Sequence, residues 1–366
     1  MMKRNVEKGK TLLVDGPASV TFLSGEVEVL GGSLAAGEKI VIRDGKRLPF
    51  EVNEKAMFEL KLGENASVEE VEGTTIPSSW ENTSREAAAH GKPVTVMVMG
   101  GVDSGKTSFC AYLANRALKE NLKAAVIDGD LGQSDIGPPS TVGFSYVTKP
   151  IKDLFEMEVE SACFIGVTTP SLAVSKVIEE LTTLKNRVLK TDVEFLIVNT
   201  DGWVEGEDAV KYKVQLAEKA TPDMVVGIQR ADELTPILTV LKKTMRTIAI
   251  DSPLAIRKRN REKRKILRAL GYKKYLKNAK VQLFHLNQVK IKDVFSESWE
   301  NLTKEEIQED ALIALQDAQL NFLGIGILYG IDFERGLVKV YTTVSENVST
   351  ILFGKVKLNK KGREKD

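Results

Sequence analysis

The stretch that decides the fold is Val94–Ser108, which reads VTVMVMGGVDSGKTS. Its first six residues form a nearly continuous apolar run, as is typical of a strand buried on both faces. The run leads into Gly100, four further residues, Gly105, Lys106 and Thr107, which match the phosphate-loop pattern G-x-x-x-x-G-K-[ST]. Apolar residues at helical spacing follow as far as Leu118. A strand before the loop and a helix after it predict a nucleotide-binding domain.

Each part of this loop has an expected role. Its glycines let backbone N–H groups turn toward phosphate oxygens, and the next helix directs its positive end at the same anion. We expect Lys106 to reach the β- and γ-phosphates and the Thr107 hydroxyl to hold Mg2+. The residues expected to bind the nucleotide are Gly100, Gly101, Val102, Asp103, Ser104, Gly105, Lys106, Thr107 and Ser108.

The composition is that of a globular protein with more than one domain. The chain has 366 residues, of which 42% are hydrophobic and 28% charged, and its net charge is +1. This balance excludes a globally basic nucleic-acid binder and leaves room for a local basic patch. Neither a secretory signal nor a long apolar span is present, so we expect a cytoplasmic protein without membrane contact.

Pattern changes along the chain predict an α/β fold class with four segments. Short alternating runs separated by turn signals favour a β-sandwich or barrel, either a docking module or a cover for the nucleotide site. A linker helix follows, in which Trp80 is expected to pack between domains. Alternating strands and helices then predict a parallel sheet covered by helices. The expected boundaries are 1–75 for the β domain, 76–92 for the linker, 93–280 for the phosphate-loop domain and 281–366 for a smaller α+β domain.

The last segment carries four structural expectations. We expect a helix over Lys304–Asp317, a hairpin formed by Gly324–Gly330 and Leu337–Tyr341, and an edge strand at Lys355–Lys357. The tail Asn359–Asp366 is rich in charge, and we expect it to be disordered.

Two carboxylates follow the second predicted strand of the central domain, Ala124–Ile127. They are Asp128 and Asp130, within the sequence DGDLGQS. Ligands of parallel sheets bind at the carboxyl ends of the strands. One carboxylate is therefore expected in the Mg2+ shell, through water, and the other is expected to accept a proton from a nucleophilic hydroxyl.

The third and fourth predicted strands also end in polar residues. Thr168 and Thr169 follow Cys163–Val167, where they either bind a phosphate or cap the next helix. Trp203 follows Phe195–Val198, where it either stacks on a nucleobase or is buried. Thr200 occupies the position at which a GTPase would carry the lysine of Asn-Lys-x-Asp, which argues against a switch GTPase.

Twelve basic residues and one acidic residue lie within Arg257–Lys280, which we expect to be helical. In that helix Arg259, Arg264 and Arg268 fall near one face. Such a surface is a solvated face, a lid that stabilises phosphoryl transfer, or a contact for a nucleic-acid backbone.

Together these motifs resemble the polynucleotide 5′-hydroxyl kinase family, and archaeal members in particular. This family is related to the RNA kinase subunit of eukaryotic pre-mRNA cleavage and tRNA-splicing complexes. The resemblance rests on the phosphate loop, Asp128–Gln133, Thr168–Pro170, Thr200–Trp203 and the spaced arginines. It implies transfer of the γ-phosphate of ATP to the 5′-hydroxyl of RNA, and of DNA, with Mg2+. RNA-processing proteins are the implied partners.

The resemblance also implies residue roles. Asp130 would be the general base, with Asp128 at the metal shell, and Lys106 would contact the phosphates. Arg259, Arg264 and Arg268 would form the lid, and Trp203 would stack on the terminal base. The remaining substrate contacts would come from Gln133, Thr168, Thr169 and Thr200. Two alternatives stay open: an ATP-binding structural subunit of an RNA-processing complex without turnover, and a kinase of small metabolites.

Overall fold

The computed structural model describes residues 2–295 and 308–365. The chain begins with strands that lead into a helix: β1 (Met2–Val6), β2 (Lys10–Asp15), β3 (Ala18–Val29), β4 (Gly32–Ser33), β5 (Lys39–Ile42), β6 (Arg47–Leu62), β7 (Val68–Glu72) and α1 (Ser78–Ala89). The central part alternates strands and helices: β8 (Val94–Gly100), α2 (Lys106–Lys119), β9 (Ala124–Gly129), β10 (Thr141–Val147), β11 (Ser161–Phe164), α3 (Val174–Val188), β12 (Phe195–Thr200), α4 (Glu207–Ala220), β13 (Met224–Gln229), α5 (Thr235–Leu241), β14 (Arg246–Asp251) and α6 (Arg261–Tyr275). The last part is again strands: β15 (Lys280–His285), β16 (Lys290–Asp293), β17 (Ala311–Gln316), β18 (Phe322–Asp332), β19 (Leu337–Thr342) and β20 (Thr350–Lys357).

By its internal contacts the chain divides into two compact units. The first unit comprises Met1–Ile127, Tyr146–Met157 and Lys185–Lys263. The second comprises Asp128–Ser145, Glu158–Leu184 and Arg264–Asp366. The chain therefore passes between units within β9, directly after Ile127.

An antiparallel sheet opens the first unit. Its strand order is β4-β3-β6-β2-β7, with β1 added on β6 and β5 on β3. The long strand β6 pairs with β1, β2 and β3, and its alternating side chains bury Phe50 and Phe58. The Phe58 ring contacts Phe22 and Phe50, with ring centroids 6.0 and 5.7 Å away. The prediction of an all-β N-terminal region is confirmed.

The first unit also contains the run of strands that carries the phosphate loop. Its order is β9-β12-β8-β13-β14, and β8 pairs in parallel with β12 and β13. Every residue of β8 is buried, as its apolar sequence predicts. Helix α1 packs on α2 through Trp80, whose ring centroid lies 4.9 Å from that of Phe109. Strand β14 at the end of this run was not predicted.

In the second unit, β10 and β11 pair antiparallel. The region therefore contains a mixed rather than a wholly parallel sheet, and the predicted third strand is shifted to Ser161–Phe164. Strand β10 (seven residues) was not predicted, because it directly follows the turn-rich sequence GPPS. The α/β fold class is confirmed.

A six-stranded sheet with the order β15-β19-β18-β17-β20-β16 also belongs to the second unit. The predicted hairpin is confirmed as β18 and β19. The helix predicted at Lys304–Asp317 is wrong for Ala311–Gln316, which is strand β17; residues 304–307 lie outside the described residues. Its sequence ALIALQ is buried between β18 and β20, where tertiary packing overrides helix propensity.

Two further expectations for the C-terminal region are wrong. Lys355–Lys357 belongs to β20, which lies between β17 and β16 rather than at the sheet edge. The tail is ordered over residues 359–365, because the Lys365 backbone N–H donates to the Lys357 carbonyl at 2.9 Å and the preceding Leu358 is fully buried. Within the described ranges, no helix combines the length and apolar content needed to cross a bilayer.

Candidate active site

The phosphate loop joins β8 to α2 in the first unit. Gly105 stands directly before α2 with φ +104°, a conformation that favours glycine. A Cβ atom at Gly105 would also lie 2.6 Å from Ile256 Cδ1. Conformation and space thus both require glycine here. The loop leads into the N-terminal, positive end of α2. Backbone N–H groups at such a helix N-terminus bind anions.

Two side chains of the loop fit a bound phosphate. Lys106 is largely buried, and its ammonium group donates to the Gly101 carbonyl at 2.8 Å, so the positive charge lies over the loop. The Ser104 hydroxyl is buried and has no hydrogen-bond partner among the described residues. Buried polar groups are normally satisfied. An anion that accepts from Ser104 would supply the absent partner.

Arg259 is tied to this loop through Asp103. Its Nε donates to Asp103 Oδ1 at 2.6 Å, and its backbone N–H donates to Oδ2 at 2.8 Å. Arg230 donates to the Asp103 carbonyl oxygen at 2.6 Å. Sequence reasoning treated Asp103 as one loop residue among several and missed both partners. Its acidic character inside an anion-binding loop was the available signal.

At the end of β12, Thr200 and Trp203 occupy different environments. The Thr200 hydroxyl is buried and donates to the Val98 carbonyl at 2.9 Å, which ties β12 to β8. Trp203 is half-buried and stacks on Tyr212, with ring centroids 5.6 Å apart and an interplanar angle of 24°. The Trp203 backbone N–H donates to Asp201 Oδ1 at 2.9 Å. Asp201 therefore fixes the backbone from which Trp203 projects.

Asp201 is itself held by a buried ion pair that sequence reasoning missed. Lys213 is fully buried on α4, and its Nζ lies 2.9 Å from Asp201 Oδ2. The Tyr212 hydroxyl donates to the same oxygen at 2.7 Å. A signal was present, because Lys213 falls on the apolar stripe of α4 that also carries Ala209 and Leu216. A lysine on such a stripe needs a buried partner.

In the second unit, Asp128 organises the turn that follows β9. Its carboxylate is fully buried and accepts backbone N–H groups from Asp130 at 3.1 Å, Asp135 at 2.7 Å and Ile136 at 3.1 Å. Burial and the negative charges of Asp135 and Asp130 raise the pKa of the Asp128 carboxyl to about 7, although the backbone hydrogen bonds oppose this shift. Asp128 thus fixes the position of Asp130.

Asp130 is half-buried and forms the next turn. Its Oδ1 accepts backbone N–H groups from Gly132 at 3.1 Å and Gln133 at 2.9 Å. The Gln133 side chain donates to the Arg264 carbonyl at 3.3 Å, which links this turn to α6. A carboxylate held by backbone donors keeps a fixed direction, as a general base needs.

The Thr168–Thr169 segment runs against the same turn. A Cβ atom at Gly132 would lie 2.9 Å from the Thr168 carbonyl oxygen, so the two backbones approach closely. Thr169 precedes a short 3₁₀ turn, Pro170–Leu172, and its side chain makes no capping hydrogen bond there. The second unit therefore brings Asp130, Gln133 and Thr168 together.

The three arginines expected on one helical face do not share one. Helix α6 begins at Arg261, so Arg259 precedes it and belongs to the first unit. Only Arg264 and Arg268, four residues apart, share a face of α6. Arg268 makes a bidentate ion pair with Glu364 of the tail, at 2.6 and 2.9 Å. Burial would lower the pKa of Arg268, but Glu364, Tyr272 and Asp130 together raise it.

The described residues hold no preformed metal cage. In the described part of the chain, no three His, Cys, Asp or Glu side chains converge as a metal site. Mg2+ commonly binds through one or two protein oxygen ligands, substrate phosphates and water. The Thr107 hydroxyl at the start of α2 is an oxygen donor of that kind.

Comparisons with known proteins agree with the motifs. Residues 100–278 match the family described as mRNA cleavage and polyadenylation factor CLP1 P-loop. A polyribonucleotide 5′-hydroxyl-kinase of Methanocaldococcus jannaschii is 26% identical, over 75% of this chain and 89% of the relative. One from Pyrococcus abyssi is 28% identical, over 75% of this chain and 90% of the relative. The structure of a Clp1p–Pcf11p complex contains a chain with the same fold, at TM-score 0.79, 15% identity and 97% coverage of both chains. The resemblance to the polynucleotide 5′-hydroxyl kinase family is confirmed.

Proposed function

We propose, on the premise that this chain is a relative of CLP1 and of the archaeal polyribonucleotide 5′-hydroxyl-kinases, that it transfers the γ-phosphate of ATP to the 5′-hydroxyl end of RNA. The observation that carries the proposal is the phosphate loop, in which Gly105 opens α2 and Lys106 covers the anion position. DNA ends are a second proposed substrate. The proposed location is cytoplasmic, as the sequence led us to expect, and RNA-processing protein partners are proposed from the resemblance.

The loop residues Gly100–Ser108 would bind the phosphates of ATP. Lys106 would exchange its hydrogen bond with Gly101 for one with a phosphate oxygen, and the Ser104 hydroxyl would gain an acceptor. Thr107 would hold Mg2+, which neutralises phosphate charge. Asp128 already accepts three backbone N–H groups, so we assign it to the metal shell through water rather than by direct contact.

Asp130 is the proposed general base. It would accept the proton of the RNA 5′-hydroxyl as that oxygen bonds to the γ-phosphorus and the bond to the ADP oxygen breaks. Arg259, Arg264 and Arg268 would stabilise the charge on the transferred group. For Arg259 and Arg268 this role requires release from Asp103 and Glu364, their partners in this structure.

The remaining residues are proposed to position the RNA end. Trp203 would stack on the terminal base with its ring supported by Tyr212. Thr168, Thr169 and Gln133 would contact the terminal nucleotide beside Asp130. Thr200 would act through its position at the end of β12, because its hydroxyl is committed to Val98.

The test is transfer of labelled phosphate from ATP to RNA with a 5′-hydroxyl, in the presence of Mg2+. Lys106→Ala should abolish transfer, because no other loop side chain supplies the charge. Lys119→Ala is the matched control, since Lys119 lies at the far end of the same helix and pairs with Glu28. Absence of transfer by the wild-type protein to RNA and DNA, with ATP still bound, would favour the structural subunit. Equal phosphorylation of free nucleosides would favour a metabolic kinase.

A further inference from the structure

A cavity of about 290 Å³ lies in the second unit between α6, β19 and the C-terminal tail. We call it the lysine pocket and define it by its lining: Lys273, Leu276, Lys277, Tyr341, Lys360, Lys361 and Gly362. Lys273 and Lys277 lie four residues apart, at the end of α6 and just beyond it, and Lys360 and Lys361 belong to the tail. None of these residues has a role in the proposed transfer reaction.

The tail that supplies two of the lysines is fixed at several points. Glu364 pairs with Arg268, and the Gly362 backbone N–H donates to the Asn359 carbonyl at 2.9 Å. Gly362 passes so close to α6 that a Cβ atom there would lie 3.4 Å from Tyr272 Cβ. The lysines of the tail are thus presented by a closed turn at a defined place beside α6.

The charge of the pocket is one-sided. Its lining residues, within the described part of the chain, include four lysines and no carboxylate. The nearby acid Glu364 is committed to Arg268, and Asp310 is committed to Lys365. Lysines that line one cavity bring positive charges close together, and a bound polyanion relieves their repulsion.

An aromatic surface adjoins these charges. Tyr341 lines the pocket and stacks on Tyr329, with ring centroids 5.7 Å apart and an interplanar angle of 4°. Lys360 Nζ lies 4.9 Å from the Tyr329 ring centroid. Basic groups interleaved with aromatic rings are typical of surfaces that bind single-stranded nucleic acids, because the charges contact phosphates and the rings stack on bases.

We propose that the lysine pocket binds the phosphodiester backbone of the RNA strand, downstream of its 5′ end. This inference rests on the proposed function, which places the 5′ end beside Arg264 and Arg268. Nine residues separate Arg264 from Lys273, about 13.5 Å along the axis of α6. At about 100° per residue the two side chains project from opposite faces of the helix, so the strand must also pass around α6. An RNA of several nucleotides spans that distance, and a dinucleotide does not. Lysines contact phosphates as point charges without reading sequence, so the pocket favours long substrates of any sequence.

The test measures binding of RNA that already carries a 5′-phosphate, without ATP, by fluorescence anisotropy at several salt concentrations. The variant is Lys277→Ala/Lys361→Ala. The matched control is Lys280→Ala/Lys339→Ala, which removes the same charge from exposed positions of the second unit outside the pocket. For long RNA the pocket variant should lower the slope of log affinity against log salt by about 1.4, at about 0.7 for each phosphate contact. A dinucleotide should bind the wild type, the pocket variant and the control variant with equal affinity.

The outcomes separate this inference from the kinase proposal. A lowered slope confined to the pocket variant supports the pocket, even where no phosphate transfer is detected. Equal slopes for the two double variants overturn it, even where transfer to short RNA is normal. Competition by polyglutamate as strong as that by RNA also overturns it, because the pocket then takes an acidic protein. Circular dichroism melting curves verify that both variants are folded.

Discussion

Replacing Lys213 by methionine tests the support beneath Trp203. The substitution keeps an unbranched side chain, one atom shorter, and removes the ammonium group that lies 2.9 Å from Asp201 Oδ2. Lys213 is 0% exposed and Asp201 is 3% exposed, so water does not replace the lost partner. Breaking a buried ion pair by removing one member costs about 3–5 kcal/mol. Because the Tyr212 hydroxyl and the Trp203 N–H still donate to Asp201, we expect about 3 kcal/mol.

The assay is urea denaturation of four proteins: wild type, Lys213→Met, Asp201→Asn and the double variant. Each single variant leaves one buried charge without its counter-charge, whereas the double variant leaves an amide beside an apolar side chain. The double variant should therefore be more stable than the sum of the single losses predicts. Lys211→Met is the control, because Lys211 is exposed on the same helix. Its free energy of unfolding should equal that of the wild type.

Two results would refute this reasoning. One is a loss below about 1 kcal/mol for Lys213→Met, the size expected of an exposed pair. The other is strict additivity of the two single losses. A functional readout accompanies the stability measurement: Lys213→Met should raise the KM for RNA, because Asp201 holds the Trp203 backbone, and should leave the KM for ATP unchanged.

Three further predictions follow from individual contacts. Asp130→Asn should remove phosphate transfer and keep ATP binding, as measured by calorimetry, because the amide still accepts from Gly132 and Gln133 but does not take up a proton. Trp203→Ala should weaken RNA binding by about 1–3 kcal/mol, the contribution of one stacked base, with no effect on ATP. For Asp15, burial opposes ionisation, but hydrogen bonds from Arg47 and Ser67 and the charges of Arg47 and Arg257 lower its pKa. Its stabilising effect is thus present above the ordinary pKa of aspartate, about 4, and disappears as pH falls through the lower folded-state pKa. The free energy of unfolding of Asp15→Asn should lie below that of the wild type at neutral pH, and the difference should close in acid.

The local sequence was sufficient to predict the strand and the loop whose structure depends only on their own residues. The apolar run before Gly100 predicted a buried strand, and the glycines and Lys106 predicted the loop, because backbone conformation and charge are properties of those residues. The helix prediction for Ala311–Gln316 was wrong because the local pattern does not decide the structure there. Its apolar residues are compatible with a helix or a strand, and the neighbours β18 and β20 decide between them.

The candidate site shows the same division. Asp128 and Asp130 were identified by their place after a strand, but their different hydrogen bonds depend on how the turn closes. The pairs Asp103–Arg259, Asp201–Lys213 and Arg268–Glu364 join residues 156, 12 and 96 positions apart. Spacing alone does not reveal such partners. The ordered tail was missed because its anchor, Glu364, looks like one more charge in a charged segment.

The three backbone N–H groups that donate to Asp128 affect the choice of an inactive variant for crystallisation with RNA. Inactivating the protein by a substitution at Asp128 would loosen the turn that its carboxylate holds. The structure of the resulting complex would then differ from that of the wild-type site. Asp130 is the better position, since an asparagine there keeps the loop's shape. A trapped substrate would then lie in an undistorted frame.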